Sequence, residues 1–411
     1  MDYINRAAEK LAKEAVETYK SILVTGARQT GKSTMLEALF PDRKVVTFDD
    51  QFAEDQAKNN PTEFIDLNPP PVTYDEVQYV PSLFRYIKIA CDASKDTGLF
   101  CLTGSQPFKL MKTASESLAG RVSIIELSTL SLREIQKTDF DQSFVPTMEY
   151  VKARQKSAKK PKNIWSIIHR GGYPALQNPK MNCERFFSDY IKTYLERDVR
   201  ALSAVQDLNT FRRFMIACAA RTGQMLNYSN IASEISKDAD TVKNWISILE
   251  ASGIIYILEP YCPSVLNRAI KTPKLYFRDT GLACYLTRWL TPETLANGAM
   301  AGEIFETYVI SEILKSYSNA GIDYHYCVSY YRGKDKKDSS ESEIDFIIEK
   351  DGLLYPVEIK KTSKPTADMT SAFTILDNIP DKKRGTGAVV CMCSAPGVLR
   401  ENILAIPVWY V

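Results

Sequence analysis

Short apolar runs alternate with amphipathic stretches along the first third of the chain. The runs SILVT, RKVVTFDD, PVTYDEVQ, GLFCLTGS and RVSIIELS begin at residues 21, 43, 71, 98 and 121, and helical spacing separates several of them. Strands that alternate with helices form a parallel sheet that helices cover on both faces. The pattern therefore predicts an α/β domain, which we place at residues 1–140.

A glycine-rich turn connects the first predicted strand with the helical stretch STMLEALF. The segment GARQTGKST (26–34) fits the pattern G-x-x-x-x-G-K-[ST], in which the glycines let backbone N–H groups point at phosphates. The lysine neutralises the β- and γ-phosphates and the following serine ligates Mg²⁺. This P-loop predicts a nucleotide site whose binding residues are Gly26, Ala27, Arg28, Gln29, Thr30, Gly31, Lys32, Ser33 and Thr34.

Two acids end the third apolar run, PVTYDEVQ. Asp75 is predicted to hold Mg²⁺ through water together with Ser33, and Glu76 to polarise the attacking water. Ser105, with Thr103 close by, ends the fourth run, GLFCLTGS, and is predicted to lie near the γ-phosphate. The alternative for Asp75 and Glu76 is a pair of solvated acids at a strand end.

Arg121, in LAGRV, is a candidate for stabilising transition-state charge, either in its own subunit or in a neighbouring one. A surface or structural arginine is the alternative.

Several of these segments together resemble a known family. GARQTGKST, DEVQ, LTGS and SLAGRVSIIELSTLSLREI, and further along GGYPAL (171–176) and YIKTYLERDVRAL (190–202), are similar to AAA-type ATPases of bacteria and archaea with a second, poorly characterised C-terminal domain. The resemblance implies that the nucleotide is ATP and that the protein is an ATPase. Such ATPases often work as rings, so the resemblance also implies a homo-oligomer.

Composition narrows the classes of protein further. The 411 residues carry 52 basic and 50 acidic side chains and a net charge of +2. The overall charge therefore does not indicate nucleic-acid binding. No stretch approaches about 18 consecutive apolar residues, so no membrane span is expected. Nine scattered cysteines and two histidines argue against a zinc site or a disulfide framework and favour a cytoplasmic location.

The middle of the chain is predicted to contain a helical lid and linker at 141–222. It includes six basic residues within positions 152–162, which either contact a phosphate backbone or form a solvated face or linker. The basic residues are Lys152, Arg154, Lys156, Lys159, Lys160 and Lys162.

Residues 223–262 carry the pattern of a helix-turn-helix followed by a wing. Two apolar helical faces are separated by a polar turn, Gly253 stops the second helix, and IIYILEPY follows as a strand. The second helix offers Lys243 against Asp240 and Glu250, which is weakly basic for a helix that reads DNA. The winged helix therefore either binds DNA or serves for packing or protein contact. The apolar positions are Ile231, Ala232, Ile235, Val242, Trp245, Ile246 and Leu249.

A second α/β unit is predicted at 263–411. GEIFETYVISEILK is a helix that bears Glu306, and SEIDFIIEKDGLLYPVEIKKT predicts two strands joined at Asp351-Gly352. Asp-(x)n-Glu-x-Lys across a hairpin resembles the metal-binding core of the PD-(D/E)xK nuclease fold. The resemblance implies that two carboxylates hold Mg²⁺, that the lysine acts on water, and that Glu306 completes the site. The alternative is a fold relic with a salt bridge and no catalysis. The residues concerned are Asp345, Glu358 and Lys360.

The sequence therefore predicts a Mg²⁺-dependent AAA-type ATPase with a helical lid, a winged helix and a nuclease-like C-terminal domain. Two functions follow. The protein either couples hydrolysis to action on double-stranded DNA, or it is a nucleotide-operated switch that binds a protein partner through an inactive docking domain.

Overall fold

The computed structural model describes residues 3–105, 117–194, 207–262, 272–334 and 341–411. Part of the predicted segment YIKTYLERDVRAL lies outside these residues. Among the helices that the structure describes, none is long and apolar enough to cross a membrane.

Five parallel strands form the N-terminal sheet in the order β2-β3-β4-β1-β5. This confirms the parallel sheet that the alternating pattern predicts. The strands β1 and β4 are buried along their whole length because helices cover both faces of the sheet. The strands are β1 (Ser21–Thr25), β2 (Lys44–Thr47), β3 (Val72–Asp75), β4 (Phe100–Gly104) and β5 (Val122–Glu126).

The helices of this region pack on the two faces of the sheet and form one apolar cluster on each face. Alternate side chains of β1 point to opposite faces, so that Ile22 and Val24 pack with helices α1 and α2, whereas Leu23 packs with α3, α4 and α5. The result is a three-layer α/β/α arrangement. The helices are α1 (Glu9–Thr18), α2 (Lys32–Leu39), α3 (Gln51–Asn59), α4 (Pro61–Leu67) and α5 (Leu83–Ala93).

The middle region is helical and contains the predicted pair of helices. The apolar positions predicted for both helices are buried, and the second helix is followed by the predicted strand. The helices are α6 (Leu132–Ile135), α7 (Met148–Gln155), α8 (Ile164–Arg170), α9 (Cys183–Tyr194), α10 (Leu208–Ala219), α11 (Tyr228–Ile235) and α12 (Ala239–Ala251).

A small antiparallel sheet follows this helix pair. It consists of β6 (Gln224–Met225), β7 (Ile255–Leu258) and β8 (Lys274–Phe277) in the order β6-β8-β7. The strand β8 lies beyond residue 262, the boundary that we predicted for the winged helix. This sheet therefore includes residues that the sequence pattern assigned to the C-terminal unit at 263–411.

Arg154 differs from the other residues of the basic segment. Its side chain is fully buried, with Nη1 donating to Ser157 Oγ at 3.0 Å and Nη2 donating to the Trp409 carbonyl at 3.2 Å. Neither a phosphate contact nor a solvated face describes this arginine. It instead anchors the C-terminal residues to α7.

The motif GGYPAL packs tightly against the loop that follows β5. Gly171 has φ +76°, and a Cβ atom there would lie 2.3 Å from Asp279 Oδ1. A Cβ atom on Gly172 would lie 2.4 Å from the Leu130 carbonyl, which explains why both positions are glycine. The motif therefore fixes the middle region onto the N-terminal domain.

The C-terminal region contains a mixed sheet in the order β14-β15-β13-β11-β10-β9, with β12 beside β11. The predicted hairpin is confirmed because β10 and β11 pair around Asp351 and Gly352, which both have positive φ. The strands are β9 (Val328–Lys334), β10 (Glu341–Lys350), β11 (Leu353–Lys360), β12 (Lys383–Arg384), β13 (Gly387–Cys391), β14 (Gly397–Arg400) and β15 (Ile403–Pro407).

Helices connect this sheet with the middle region. One apolar cluster extends from Leu132 through the middle region to Val411, so the two regions share a core. The long helix α15 is buried along most of its length. The helices are α13 (Thr280–Leu286), α14 (Pro292–Ala296) and α15 (Ala301–Ser318).

Candidate functional site

The phosphate loop leaves the carboxyl end of the central strand β1 and enters α2. Gly26 has φ +141° and Gly31 has φ +90°, which favour glycine. A Cβ atom on Gly26 would lie 2.2 Å from the Leu127 carbonyl. Strand, tight turn and helix N-terminus thus stand in the arrangement that binds phosphate.

Lys32, the first residue of α2, lies inside this loop. Its side chain is buried, and Nζ donates to the carbonyls of Gly26 at 3.2 Å and Ala27 at 2.9 Å. Thr30 Oγ1 donates to the same Ala27 carbonyl at 2.9 Å. The ammonium group is therefore placed within the loop by neutral backbone groups.

The other predicted residues of the loop differ in exposure. Arg28 Nη2 donates to Tyr79 OH at 3.3 Å, whereas Gln29 and Thr34 are exposed. Their roles in nucleotide binding stay predictions.

Asp75 collects hydroxyl groups from three neighbouring elements. Ser33 Oγ donates to its Oδ1, Thr103 Oγ1 donates to Oδ1 at 2.5 Å, and Thr47 Oγ1 donates to Oδ2 at 3.3 Å. Hydroxyl and carboxylate oxygens are the donors that Mg²⁺ prefers. The residues present therefore fit a Mg²⁺ site that includes Ser33 and Asp75.

Glu76 follows Asp75 with a left-handed backbone, φ +58°, a conformation that costs free energy for a residue other than glycine and is concentrated at functional sites. Its Oε2 accepts hydrogen bonds from Ser105 Oγ at 3.0 Å and from Gln78 Nε2. Gln78 Nε2 also donates to Ser105 Oγ at 3.2 Å. The structure thus brings Glu76 and Ser105 together and adds Gln78, which sequence analysis missed.

The structure does not bring Arg121 to the phosphate loop. Val122 pairs with Ser21 at the start of β1, so Arg121 lies at the opposite end of the sheet, about 16 Å from the loop at about 3.3 Å per residue. Its Nε and Nη2 bond the two carboxylate oxygens of Asp92 at 2.5 and 3.2 Å. As placed, Arg121 does not reach the phosphate loop of its own subunit, and its predicted role stays a prediction.

The N-terminal end of α12 is acidic. Asp238 is the N-cap and accepts from Thr241 N at 2.7 Å, and Asp240 pairs with Lys243 at 3.0 Å. This end would enter a DNA groove in a helix-turn-helix protein, and its acids would face the phosphates. At the other end of the helix, a Cβ atom on Gly253 would lie 3.3 Å from Ala27 N in the phosphate loop.

Three of the predicted C-terminal residues meet at the end of the β10–β11 hairpin. Asp345 lies where the pairing of β10 with β9 shifts register, and its Oδ2 accepts from Ile359 N at 2.8 Å. Lys360 Nζ lies 3.3 Å from Asp345 Oδ2 and 2.6 Å from Glu358 Oε1. We call Glu306, Asp345 and Glu358 the acid cluster.

Glu306 approaches the cluster from α15 but bonds to other groups. Its Oε1 accepts from Tyr276 OH at 2.6 Å and lies 3.3 Å from Lys274 Nζ. Lys274 also pairs with Glu343 Oε1 at 2.5 Å. Sequence analysis missed these partners, although a lysine inside the apolar run PKLYF was an available signal.

Burial and mutual repulsion perturb these acids. Burial and the charge of Asp345 raise the pKa of Glu306 to about 7, against the opposing effect of Lys274. The same two causes raise the pKa of Glu358 to about 8, against the opposing effect of Lys360. Burial alone would lower the pKa of Lys360, but Asp345 and Glu358 outweigh it and raise that pKa.

Lysine side chains accompany the carboxylates of this cluster. Within the described ranges, no group of three or more His, Cys, Asp or Glu side chains is arranged to hold a metal ion. The predicted Lys360 lies beside Asp345 and Glu358, and Lys274 lies beside Glu306, so a metal-binding role for these residues stays a prediction.

Comparisons with known proteins divide the chain into three parts. Residues 18–136 match the family model of an AAA domain. Residues 161–293 match a domain of unknown function (DUF8612), and residues 301–411 match another (DUF4143). The chain therefore has an AAA-type P-loop domain at its N-terminal side, followed by two domains whose models describe no activity.

Relatives cover most of the chain. An uncharacterized protein of Mycobacterium tuberculosis is 26% identical over 383 residues, which span 90% of this chain and 77% of the relative. An uncharacterized protein of Mycobacterium bovis has the same values.

Solved structures give partial similarities. A Walker-type ATPase of Pyrococcus abyssi is 14% identical and covers 69% of this chain and 96% of its own, with a TM-score of 0.44. AMPPCP-bound DnaA of Aquifex aeolicus is 17% identical and covers 61% of this chain and 89% of its own, with a TM-score of 0.30.

Proposed function

We propose that this protein binds ATP with Mg²⁺ and hydrolyses the terminal phosphoanhydride bond at the phosphate loop. The observation that carries the proposal is the meeting of Lys32, the Ser33–Asp75 pair and the Glu76–Ser105 pair at one edge of the sheet. The AAA domain match supports ATP as the nucleotide.

Each of these residues has a distinct task. Lys32 neutralises charge on the β- and γ-phosphates, while the first N–H groups of α2 bind phosphate oxygens. Ser33 and Asp75 hold the Mg²⁺ ion, which when bound offsets the negative charge that develops on the phosphates. Glu76 orients and polarises the attacking water, and the hydrogen bonds from Ser105 and Gln78 fix the direction of its carboxylate.

We propose further that nucleotide binding operates a switch toward a protein partner. We take α11, α12 and β6–β8 as a winged helix that touches the loop through Gly253. The acidic N-terminal end of α12 and the pairing of Lys243 with Asp240 favour protein over DNA, because DNA recognition depends on basic side chains. In this proposal the C-terminal region is a docking module.

Action on DNA is the second candidate. The meeting of Asp345, Glu358 and Lys360 at one hairpin end favours it, and so does the resemblance to the nuclease fold. In the nuclease interpretation, Mg²⁺ added at pH 8 should raise the melting temperature of the Lys32→Ala variant, and the additional change Glu358→Gln should abolish that shift. Equal melting curves with and without Mg²⁺ would favour a docking module over a nuclease for the C-terminal region.

Phosphate release from ATP tests the proposed function. Wild-type protein should turn over ATP in the presence of Mg²⁺, and Glu76→Gln should reduce turnover by about 100-fold or more. Glu37→Gln, an exposed change on α2, is the matched control and should behave as wild type. Equal turnover in wild type and Glu76→Gln would refute the assignment.

Duplex DNA in the same assay separates the two outputs. Turnover that ignores DNA is expected for a protein-directed switch. Stimulation by DNA that disappears with added salt would support action on DNA instead, since phosphate contacts weaken steeply with ionic strength.

A further inference from the structure

Arg6 is a buried arginine before α1 whose guanidinium touches three parts of the N-terminal domain. Its Nη1 donates to the Thr30 carbonyl and its Nη2 to the Ser128 carbonyl, both at 2.7 Å. Its Nε donates to Glu134 Oε1 at 2.9 Å, and both side chains of this pair are only 3% exposed. Arg6 is therefore bonded directly to the phosphate loop.

The bond to Thr30 has a directional consequence. In a trans peptide the C=O and the following N–H point in opposite directions. Because Arg6 holds the Thr30 carbonyl on one side, the N–H of Gly31 is directed to the other side. A guanidinium that fixes one carbonyl of the loop thus orients an N–H group available to a phosphate.

Glu134 connects Arg6 with the start of α6. Its Oε1 also accepts from Ala7 N at 2.9 Å, and its Oε2 accepts from Ser131 N at 2.6 Å and Ser131 Oγ at 2.9 Å. Burial alone would raise the pKa of Glu134, but Arg6 and these backbone N–H groups lower it. A charged, fully bonded carboxylate therefore ties the two segments together.

Helix α15 holds the same short segment from the other side. Glu312 Oε2 accepts from Leu132 N at 2.8 Å, and Glu312 Oε1 pairs with Lys315 Nζ at 2.9 Å. Lys315 Nζ also donates to the Leu130 carbonyl at 3.1 Å. Glu312 and Lys315 are 4% and 7% exposed, so water cannot readily replace these bonds.

Helix α15 also carries Glu306 of the acid cluster. Glu306 precedes Glu312 by six residues, which is about 9 Å along a helix at about 1.5 Å per residue. Buried, bonded charges have few alternative arrangements because an unpaired charge in the interior is costly. When the phosphate loop moves, the groups bonded to it through Arg6, Glu134 and Glu312 must therefore move with it.

We propose that Arg6 is a positioning residue for the phosphate loop, and that Arg6, Glu134 and Glu312 couple nucleotide binding to α15. The coupling rests on the proposed binding of nucleotide at that loop. Arg6 fixes the orientation of the phosphate loop through its bond to the Thr30 carbonyl. Glu134 and Glu312 hydrogen-bond to the segment 130–132 from opposite sides. Nucleotide state thereby reaches the helix that bears Glu306.

Nucleotide affinity tests the positioning role. Arg6→Ala should weaken binding of a fluorescent ATP analogue with Mg²⁺ by about tenfold, because one charge-assisted hydrogen bond to the loop is lost. Millimolar guanidinium ion should restore part of that affinity, which a merely misfolded variant would not show. Arg6→Lys, which keeps the charge but not the planar fork, should lie in between.

The control is Arg85→Ala, an exposed arginine on α5, which should bind as wild type. Wild-type affinity in both Arg6→Ala and Arg6→Lys would overturn this inference alone. Absence of binding in the wild type would overturn the proposed function and the inference with it.

Hydrogen–deuterium exchange tests the coupling. A non-hydrolysable ATP analogue with Mg²⁺ should change amide exchange in residues 26–34 and in residues 301–318 of the full chain. Glu312→Gln should keep the change in the loop and lose the change in α15.

Asp141→Asn removes one charge from the exposed pair with Lys10 and should retain both changes. A wild-type response confined to the loop, or a response in α15 that survives Glu312→Gln, would overturn the coupling.

Discussion

Two lysines that the sequence places in candidate sites differ in the groups they bond. Lys32 follows a glycine turn and donates to two neutral backbone carbonyls, whereas Lys360 ends a strand and pairs with two carboxylates. A phosphate can replace either of these carbonyls at low cost because each carbonyl is a neutral group. Removing Lys360 from its acids would leave buried charge uncompensated. The phosphate loop is therefore prepared for a ligand, and the acid cluster is already neutralised from within.

The acid cluster also depends on a second cation. Lys274 lies between Glu306 and Glu343, so both sides of the cluster have their own lysine. The same residue types therefore signal a ligand site in one place and internal charge balance in the other. Lys32 Nζ bonds backbone carbonyls of the phosphate loop, whereas Lys360 Nζ bonds carboxylates.

The largest expected effect is at the phosphate loop. Lys32→Ala should weaken binding or turnover of Mg²⁺-ATP by about 100-fold or more, because it removes a charge aimed at the phosphates. Lys360→Ala is the matched change at the other site and should leave both quantities at the wild-type value. A fluorescent ATP analogue and phosphate release measure them. If both variants lost binding and turnover to the same extent, the proposed difference between the two lysines would be wrong.

The next effect concerns the stability of the acid cluster. Lys274→Met should lower the free energy of unfolding by about 3 kcal/mol, since Glu306 loses a buried partner beside Asp345. Chemical denaturation measures the loss. Lys243→Met is the control, because its pair with Asp240 is exposed and such pairs contribute little. The prediction fails if the two variants unfold at the same denaturant concentration.

A smaller effect is the pH dependence of stability that Glu358 contributes. Its pKa is about 8 in the folded protein against an ordinary value of 4.5, so the folded state binds this proton more tightly. The stability it provides is present below about pH 4.5 and is lost as pH rises toward 8. Glu358→Gln cannot ionise, so its stability relative to wild type should grow by roughly 1 kcal/mol or more between pH 5 and pH 9.

Thermal unfolding at several pH values measures this difference. Glu306→Gln should show the same trend with a window that ends nearer pH 7. A difference that stays constant across the range would show that these acids are not strained by burial and repulsion.

The smallest effect is expected from Arg121→Ala. The residue lies away from the phosphate loop and pairs with Asp92, so turnover at dilute protein should not change. Turnover measured over a range of protein concentrations checks this. A loss that develops only where subunits associate would instead support the role in a neighbouring subunit.

Local and distant features differ in how far the sequence predicts them. The phosphate loop and the β10–β11 hairpin depend on neighbouring residues and turn chemistry, and both are present as predicted. The sequence could not show that β5 places Arg121 at the far end of the sheet, because strand direction and order come from tertiary pairing. It also could not show that Lys274 and Tyr276 would take Glu306, which lies about 30 residues away along the chain.

The burial of two arginines was also not predicted from the sequence. Arg6 and Arg154 resemble surface residues in their local sequence, and only the packing of distant segments gives them partners. Arg6 precedes an amphipathic helix, a position that gives no signal of a contact with Thr30.

A crystal structure with a non-hydrolysable ATP analogue and Mg²⁺ would show whether nucleotide draws Lys32 but not Lys360 away from its present partners. We expect Lys32 Nζ to exchange its carbonyl partners for phosphate oxygens at about 2.8 Å, while Lys360 keeps its contacts with Asp345 and Glu358. A nucleotide bound elsewhere, or a complex in which Lys32 stays on its carbonyls and Lys360 leaves its acids, would contradict the proposed role of Lys32.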